Sequence, residues 1–314
     1  MVVDTALIAA GLAGLIVGAE FLVRGGSAIA TRLGVSPLLV GITIVSIGTS
    51  MPELAIGIDA SLNDAGPLAV GNVAGTNIVN LLLILGLSAA LVPLPLGRQT
   101  VRFDLPVMAL SAVLLLVLSL NGTLGRFDGL LLLTVAVAYT VAAVGLERRW
   151  TPPTTPEELP TADGPGWPRV VELVGGIALI ILAAEWLVRG SISVATDLGV
   201  SDAFIGVTIV AIGTSAPELA TTLMSTIRGD RELAIGNLIG SSVYNIAFIL
   251  GVTALVKPVE VSEELIRIDI PLMVAVVVLC IPIFFSGRRI SRLEGIGFVT
   301  LYVAYLGLLT VFRT

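Results

Sequence analysis

Three observations predict an all-α integral membrane protein of ten transmembrane helices, arranged as two inverted-topology five-helix repeats with helices 2, 3, 7 and 8 broken. The first is composition. Of 314 residues, 56% are hydrophobic and 13% charged, with a mean hydropathy of +1.03, whereas a soluble domain carries about 25% charge. The second is that the chain repeats itself at a constant offset of 165 residues. The third is a polar hexapeptide recurring deep inside apolar runs, GTSMPE at Gly48–Glu53 and GTSAPE at Gly213–Glu218.

A helix needs about 20 predominantly apolar residues to cross a bilayer. Stretches of that order run over residues 5–31, 36–62, 67–92, 104–121 and 127–146, then over 169–196, 201–227, 232–256, 268–285 and 293–312. The first lacks a basic leader, opens with Asp4 and outruns a signal peptide's apolar core, so it is expected to remain as a span. Its length implies tilt. Its glycines, Gly11, Gly14, Gly18, Gly25 and Gly26, suggest a helix able to slide against the core and gate it. Glu20 stands four residues before Arg24, as Glu185 does before Arg189, a spacing that predicts an intrahelical ion pair in the first span of each half.

The repeat covers most of both halves. GAEFLVRGG (18–26) matches AAEWLVRGS (183–191), and AVGNVAGTNIVNLLLILGL (69–87) matches AIGNLIGSSVYNIAFILGV (234–252). Five is an odd number of crossings, so the second half enters from the opposite side. Inverted repeats with broken helices meeting near the midplane characterise secondary transporters. The predicted units are residues 1–146 and 169–314, joined by the proline- and threonine-rich linker 147–168. Eleven arginines (Arg32, Arg98, Arg102, Arg148, Arg149, Arg169, Arg228, Arg231, Arg288, Arg289, Arg292) fall on one side of this scheme. Arg126, Lys257, Arg267 and Arg313 fall on the other. The positive-inside rule makes the first side cytoplasmic, which puts the linker inside, both termini outside, and the chain in a cell membrane as a multi-pass protein.

Composition also excludes functions. A single cysteine, Cys280, and no histidine argue against a disulfide framework and against thiolate or imidazole metal sites. The usual nucleophile and base sets of an enzyme are missing as well. A net charge of −6 disfavours nucleic acid as a partner. The expected partners are the bilayer and small ions, with no cofactor, and the chain is expected to work as a monomer.

The hexapeptides carry the chemistry. A carboxylate within a membrane span costs roughly 2.5–3.5 kcal/mol and marks a functional site by default. Pro52 and Pro217 lack an amide hydrogen, so the carbonyls of Gly48 and Gly213 lose their helical donors, and those of Ser46, Ile47, Ala211 and Ile212 are expected to loosen beside them. Thr49 and Glu53 share a helix face at i and i+4, as do Thr214 and Glu218. Hydroxyl, carbonyl and carboxylate oxygens suit a hard cation, calcium or sodium, and two glutamates match the charge of one calcium. In the third and eighth spans, Asn72, Thr76 and Asn80 repeat as Asn237, Ser241 and Asn245. Asn72 and Asn237 read equally well as interhelical hydrogen-bonding amides. The deeper four suit ion coordination.

GITIVSIGTSMPEL with GNVAGTNIVN, and GVTIVAIGTSAPEL with GNLIGSSVYN, resemble the two α-repeats of the sodium/calcium exchanger family within the calcium/cation antiporter superfamily, prokaryotic ten-span type. The resemblance spans nearly the whole chain. It implies electrogenic exchange of sodium for calcium by alternating access. It assigns calcium to Glu53, Glu218, Thr49 and Thr214. Sodium shares those four and adds Ser46, Ser50, Thr76, Ala211, Ser215 and Ser241, with Asn80 and Asn245 in the middle of the site and Gly48, Pro52, Gly213 and Pro217 at the helix breaks. Where the proton-coupled branch has GNAAE, this chain reads GNVAG and GNLIG. Where the potassium-dependent branch and some archaeal members have aspartate, it has Asn245. A proton/calcium antiporter is the alternative reading, and a passive cation channel a more distant one.

Overall fold

The computed structural model describes residues 2–150, 166–199 and 211–313. Most of the expected linker and the first ten residues of the seventh span therefore lie outside the described residues. Elsewhere the chain is helical apart from short connections and four two-residue strands. The first half runs α1 (Val2–Leu33), α2 (Pro37–Val40), a π-helical turn (Gly41–Val45), α3 (Ser46–Thr49), α4 (Met51–Leu62), α5 (Gly66–Ile78), a second π-helical stretch (Val79–Ile84), α6 (Leu85–Leu91), α7 (Leu105–Ser119) and α8 (Arg126–Trp150). The second half repeats this order with α9 (Trp167–Asp197), α10 (Ala211–Thr214), α11 (Ala216–Arg228), α12 (Arg231–Tyr244), a π-helical stretch (Asn245–Ile249), α13 (Leu250–Val256), α14 (Ile270–Gly287) and α15 (Arg292–Arg313). Among the described residues eight helices are long and apolar enough to cross a membrane, and the pair Pro37–Thr49 and Met51–Leu62, bent by 42°, makes a ninth.

Local chemistry starts and stops these elements. Ser36 caps α2 by accepting from the Leu39 amide at 3.2 Å, with Pro37 at the first helical position, where its missing donor is not needed. Gly229 ends α11 at φ +89°, the left-handed conformation that glycine adopts without strain. The break in the second span falls at Ser50 (φ −87°, ψ 8°) and that in the seventh at Ser215 (φ −88°, ψ 7°), between the glycine and the proline of each hexapeptide. The third and eighth spans differ from expectation. Each is one continuous helix, Gly66–Leu91 and Arg231–Val256, because no proline interrupts them after Pro67. They carry π-helical stretches instead, whose wider turns are frequent at functional sites.

Burial sorts the helices into layers. The third and eighth spans are 78% buried, whereas the other six long helices are between 17% and 39% buried and turn residues such as Leu12, Leu110, Val141 and Val303 outward. The two buried spans form the centre. Each packs against the last helix of the other half, α6 on α15 and α13 on α8. A Cβ at Gly86 would stand 3.0 Å from the Gly295 carbonyl, and one at Gly129 2.8 Å from that of Gly251. The loops are tied in the same crosswise fashion. Strand β1 (Leu94–Pro95) pairs with β4 (Arg289–Ile290), and β2 (Thr123–Leu124) pairs with β3 (Val259–Glu260), both antiparallel. One apolar core thus draws on both halves.

The two longest helices, α1 and α9, pack on each other antiparallel. Gly11 faces Leu187, Gly14 faces Ala183, Gly18 faces Ile180 and Gly25 faces Leu173, each too close for a Cβ. These glycines therefore seat α1 on α9 rather than on the core. The ion pairs here correct one expectation. Glu185 and Arg189 do pair within α9, but Glu20 bonds Arg228 of α11 and Arg24 lies 3.8 Å from Glu172 of α9. Neighbouring helices offer these two side chains partners that α9 does not offer at its equivalent positions.

Candidate ion-binding site

The hexapeptide breaks meet the two central helices in the interior. Glu53 opens α4 and Glu218 opens α11, and both carboxylates are fully buried. The Ser50 hydroxyl, at the break of one half, donates to Glu218 Oε1 of the other at 3.2 Å. The π-helical stretch that begins at Val79 and carries Asn80 packs against α11, and the one that begins at Asn245 packs against α4. Each glutamate-bearing helix therefore packs against an asparagine-bearing turn from the opposite half.

Most oxygens in this cluster have no protein partner. Both oxygens of Glu53, Oε2 of Glu218, both amide atoms of Asn80 and of Asn245, and the hydroxyls of Ser215 and Ser241 are buried without a hydrogen bond. Buried polar atoms are paired in the great majority of cases, and an unpaired buried carboxylate is costlier still. A concentration of such atoms around two carboxylates is a ligand set suited to a cation. The donors are oxygen, the metals they suit are hard, and no group of three or more His, Cys, Asp or Glu occurs among the described residues. The fixed charge available is that of the two glutamates, and every other ligand is neutral.

Each expected residue can be located. Thr49, Ser50, Thr76, Ser215, Ser241, Asn80 and Asn245 are all buried, as are Glu53 and Glu218. Thr214 is half-buried at the end of α10, and Ala211 opens that helix. Gly48 lies against Ile177 and Gly213 against Val188, both on α9, while Pro52 and Pro217 stand in the first turns of α4 and α11. Ser46 departs from expectation. Its carbonyl stays in the ladder, accepting from the Ser50 amide at 3.1 Å and from Thr49 Oγ1 at 3.4 Å, and its hydroxyl turns back to the carbonyls of Gly41 and Ile42. The proline removes the donor to Gly48, not the donor to Ser46, so loosening does not spread that far.

Asn237 resolves as a bridge. Its Oδ1 accepts from Thr49 Oγ1 at 3.3 Å and its Nδ2 donates to Thr222 Oγ1 at 3.1 Å, linking the eighth span to both broken helices. It can do so because α12 lies almost in contact with the backbone of residues 38–46. A Cβ at Gly236 would meet the Leu38 carbonyl at 2.4 Å and one at Gly240 the Ser46 hydroxyl at 2.4 Å, the close approach that small residues permit between membrane helices. Sequence reasoning missed two polar groups. One is the buried face of α11 beyond Glu218, signalled only by hydroxyls at helical spacing. The other is Asp104, whose Oδ1 accepts from the Tyr139 hydroxyl at 3.2 Å.

Comparison with known proteins agrees with this geometry. Residues 3–145 and 170–311 match the family described as sodium/calcium exchanger protein. The chain is 38% identical over 282 residues to the inner membrane protein YrbG of Escherichia coli (strain K12), covering 88% of this chain and 87% of that one. It is 32% identical over 333 residues to the sodium/calcium exchanger MaX1 of Methanosarcina acetivorans, covering 94% and 95%. Among solved structures it is similar to the sodium-calcium exchanger NCX_Mj soaked with 10 mM Na+ and 10 mM Sr2+, with a TM-score of 0.85, 28% identity and 98% of each chain covered. With both repeats matched and the fold shared along its length, the chain belongs to the sodium/calcium exchanger protein family.

Proposed function

We propose that this protein exchanges sodium for calcium across a membrane by alternating access at the twin-glutamate site. The observation that carries the reading is the pair of buried, largely unpartnered carboxylates surrounded by neutral oxygens. Calcium is held by Glu53, Glu218, Thr49 and Thr214. Sodium ions use the same groups with Ser50, Thr76, Ser215, Ser241 and the backbone at Ala211, while Asn80 and Asn245 complete the centre. One calcium neutralises the two glutamates, as do sodium ions in its place, so the two occupants exclude each other. Bare buried carboxylates are costly in a low-dielectric interior, so the empty site resists the occluded, side-switching state. That resistance is what couples the two fluxes.

Ten crossings and an inverted repeat are supported by the loop pairing. Paired loops share a membrane face, so the chain between them crosses an even number of times. Three long helices, α8, α9 and the continuous α12–α13, separate β2 from β3. The described helices α10 and α11 therefore belong to one further crossing. Arg32 reaches Gly166, where a Cβ would stand 3.2 Å from its Nη1, with three long helices and the bent pair between them. The bent pair likewise counts once. The equivalent helices α1 and α9 run antiparallel, which supports inversion of the halves, and the arginine distribution then orients both termini outward.

Equilibrium calcium binding to the purified protein tests the shared site. Sodium should raise the apparent calcium Kd competitively, and Glu218→Gln should abolish binding. Calcium binding indifferent to sodium would contradict the proposal.

A further inference from the structure

Beyond Glu218, α11 is built inside out. Thr221, Thr222, Ser225 and Thr226 follow the glutamate at one- and two-turn intervals on its own face and are no more than 2% exposed. Leu219, Ala220 and Leu223 lie on the other side, where they line an apolar crevice of about 520 Å³ with Leu12 and Leu187 of the long helices. The first half has no such stripe, since the equivalent positions are Ile56, Gly57, Ala60 and Ser61. Two hydroxyls of the stripe have local uses: Ser225 donates to the Thr221 carbonyl and Thr222 accepts from Asn237. The hydroxyls of Thr221 and Thr226 are buried with no partner, and so is that of Ser88 on α6, a helix packed against α11. In the other half the equivalents of Thr222 and Ser88 are in direct contact, with Thr253 Oγ1 2.8 Å from where a Cβ on Gly57 would stand.

We propose that Thr221, Thr222, Ser225 and Thr226, with Ser88, form the pathway by which partly dehydrated sodium and calcium ions pass between the twin-glutamate site and the membrane face bearing Arg228. This rests on the exchanger reading. Successive turns of a helix are ~5.4 Å apart, so the stripe offers oxygen ligands at steps short enough for a cation to be handed from one to the next. Hydroxyl oxygens replace lost hydration without trapping the ion as a further carboxylate would, which is what conduction requires. The two halves point in opposite directions, so the stripe serves one face only. The opposite face must be reached by a less polar route past Gly57 and Ala60.

The test is sodium-driven calcium flux in right-side-out and inverted membrane vesicles carrying the wild-type chain, Thr221→Val, Thr226→Val or Thr221→Ser. The valine variants should keep exchange but lose apparent calcium affinity about fivefold or more on the Arg228 face, with the other face unchanged. Thr221→Ser, which keeps the hydroxyl, should restore the wild-type value. Equal effects on both faces, no effect on either, or a serine variant as impaired as the valine one would overturn the pathway. A wild-type chain with no sodium-dependent flux would instead overturn the exchanger reading, and the pathway with it.

Discussion

Glu53 and Glu218 are equivalent by sequence, yet their surroundings differ. Ser50 donates to Glu218, while both oxygens of Glu53 lack protein partners. Either Glu53→Gln or Glu218→Gln should abolish calcium transport, because one remaining charge cannot balance a divalent ion. Transport measured in both variants checks this, and substantial flux in either would remove that residue from the site. Asn237→Ala should cost about 1–3 kcal/mol of stability by taking the donor from the buried Thr222 hydroxyl and cutting the tie to Thr49, read as a lower unfolding temperature in detergent. The hexapeptides and asparagines were legible in the sequence because polar residues placed twice at that depth need a ligand or a partner to offset their burial. The bridge made by Asn237 was not, since an amide on that helix face suits an ion as well as a hydroxyl. Only the tight seating of α12 on residues 38–46 decides between them.

At the scale of the helix, the breaks at Ser50 and Ser215 follow from proline chemistry, and their positions could be read to within a few residues. The π-helical stretches could not, because no residue type encodes a wider turn and the surrounding packing imposes it. The pairing of Glu20 with Arg228 was hidden for a similar reason: an i, i+4 pattern reports what a lone helix would do, and α11 brings a competing cation. Gly236→Ala or Gly240→Ala should force the eighth span away from the second, since the added methyl would meet backbone or the Ser46 hydroxyl at 2.4 Å. Overpacking of this kind costs typically 1–3 kcal/mol. A melting temperature equal to wild type in both variants would show that the helices can shift apart freely. The glycines of α1 make it part of a pair with α9, so any sliding motion engages both long helices as one body.

Across the whole molecule, the two halves are not separate lobes. The central spans of each are covered by the last helix of the other, and the loops are stitched crosswise by β1–β4 and β2–β3. The repeat and its offset were plain in the sequence, but this interleaving was not, because it depends on which half covers which. Crosswise pairing also makes a topological prediction. With the buried Cys280 replaced by serine, cysteines introduced singly at Asp64 and Lys257, which are bonded to each other, should label from one side of the membrane. A cysteine at Arg228 should label from the other, and labelling of all three from one side would break the ten-crossing scheme. The central claim is exchange itself, and radioactive calcium uptake tests it most directly. Proteoliposomes loaded with sodium and diluted into sodium-free buffer should accumulate calcium, while choline-loaded, pH-clamped vesicles should not. Uptake that followed an imposed pH gradient, or that needed no gradient of either ion, would contradict the account in favour of a proton antiporter or a channel.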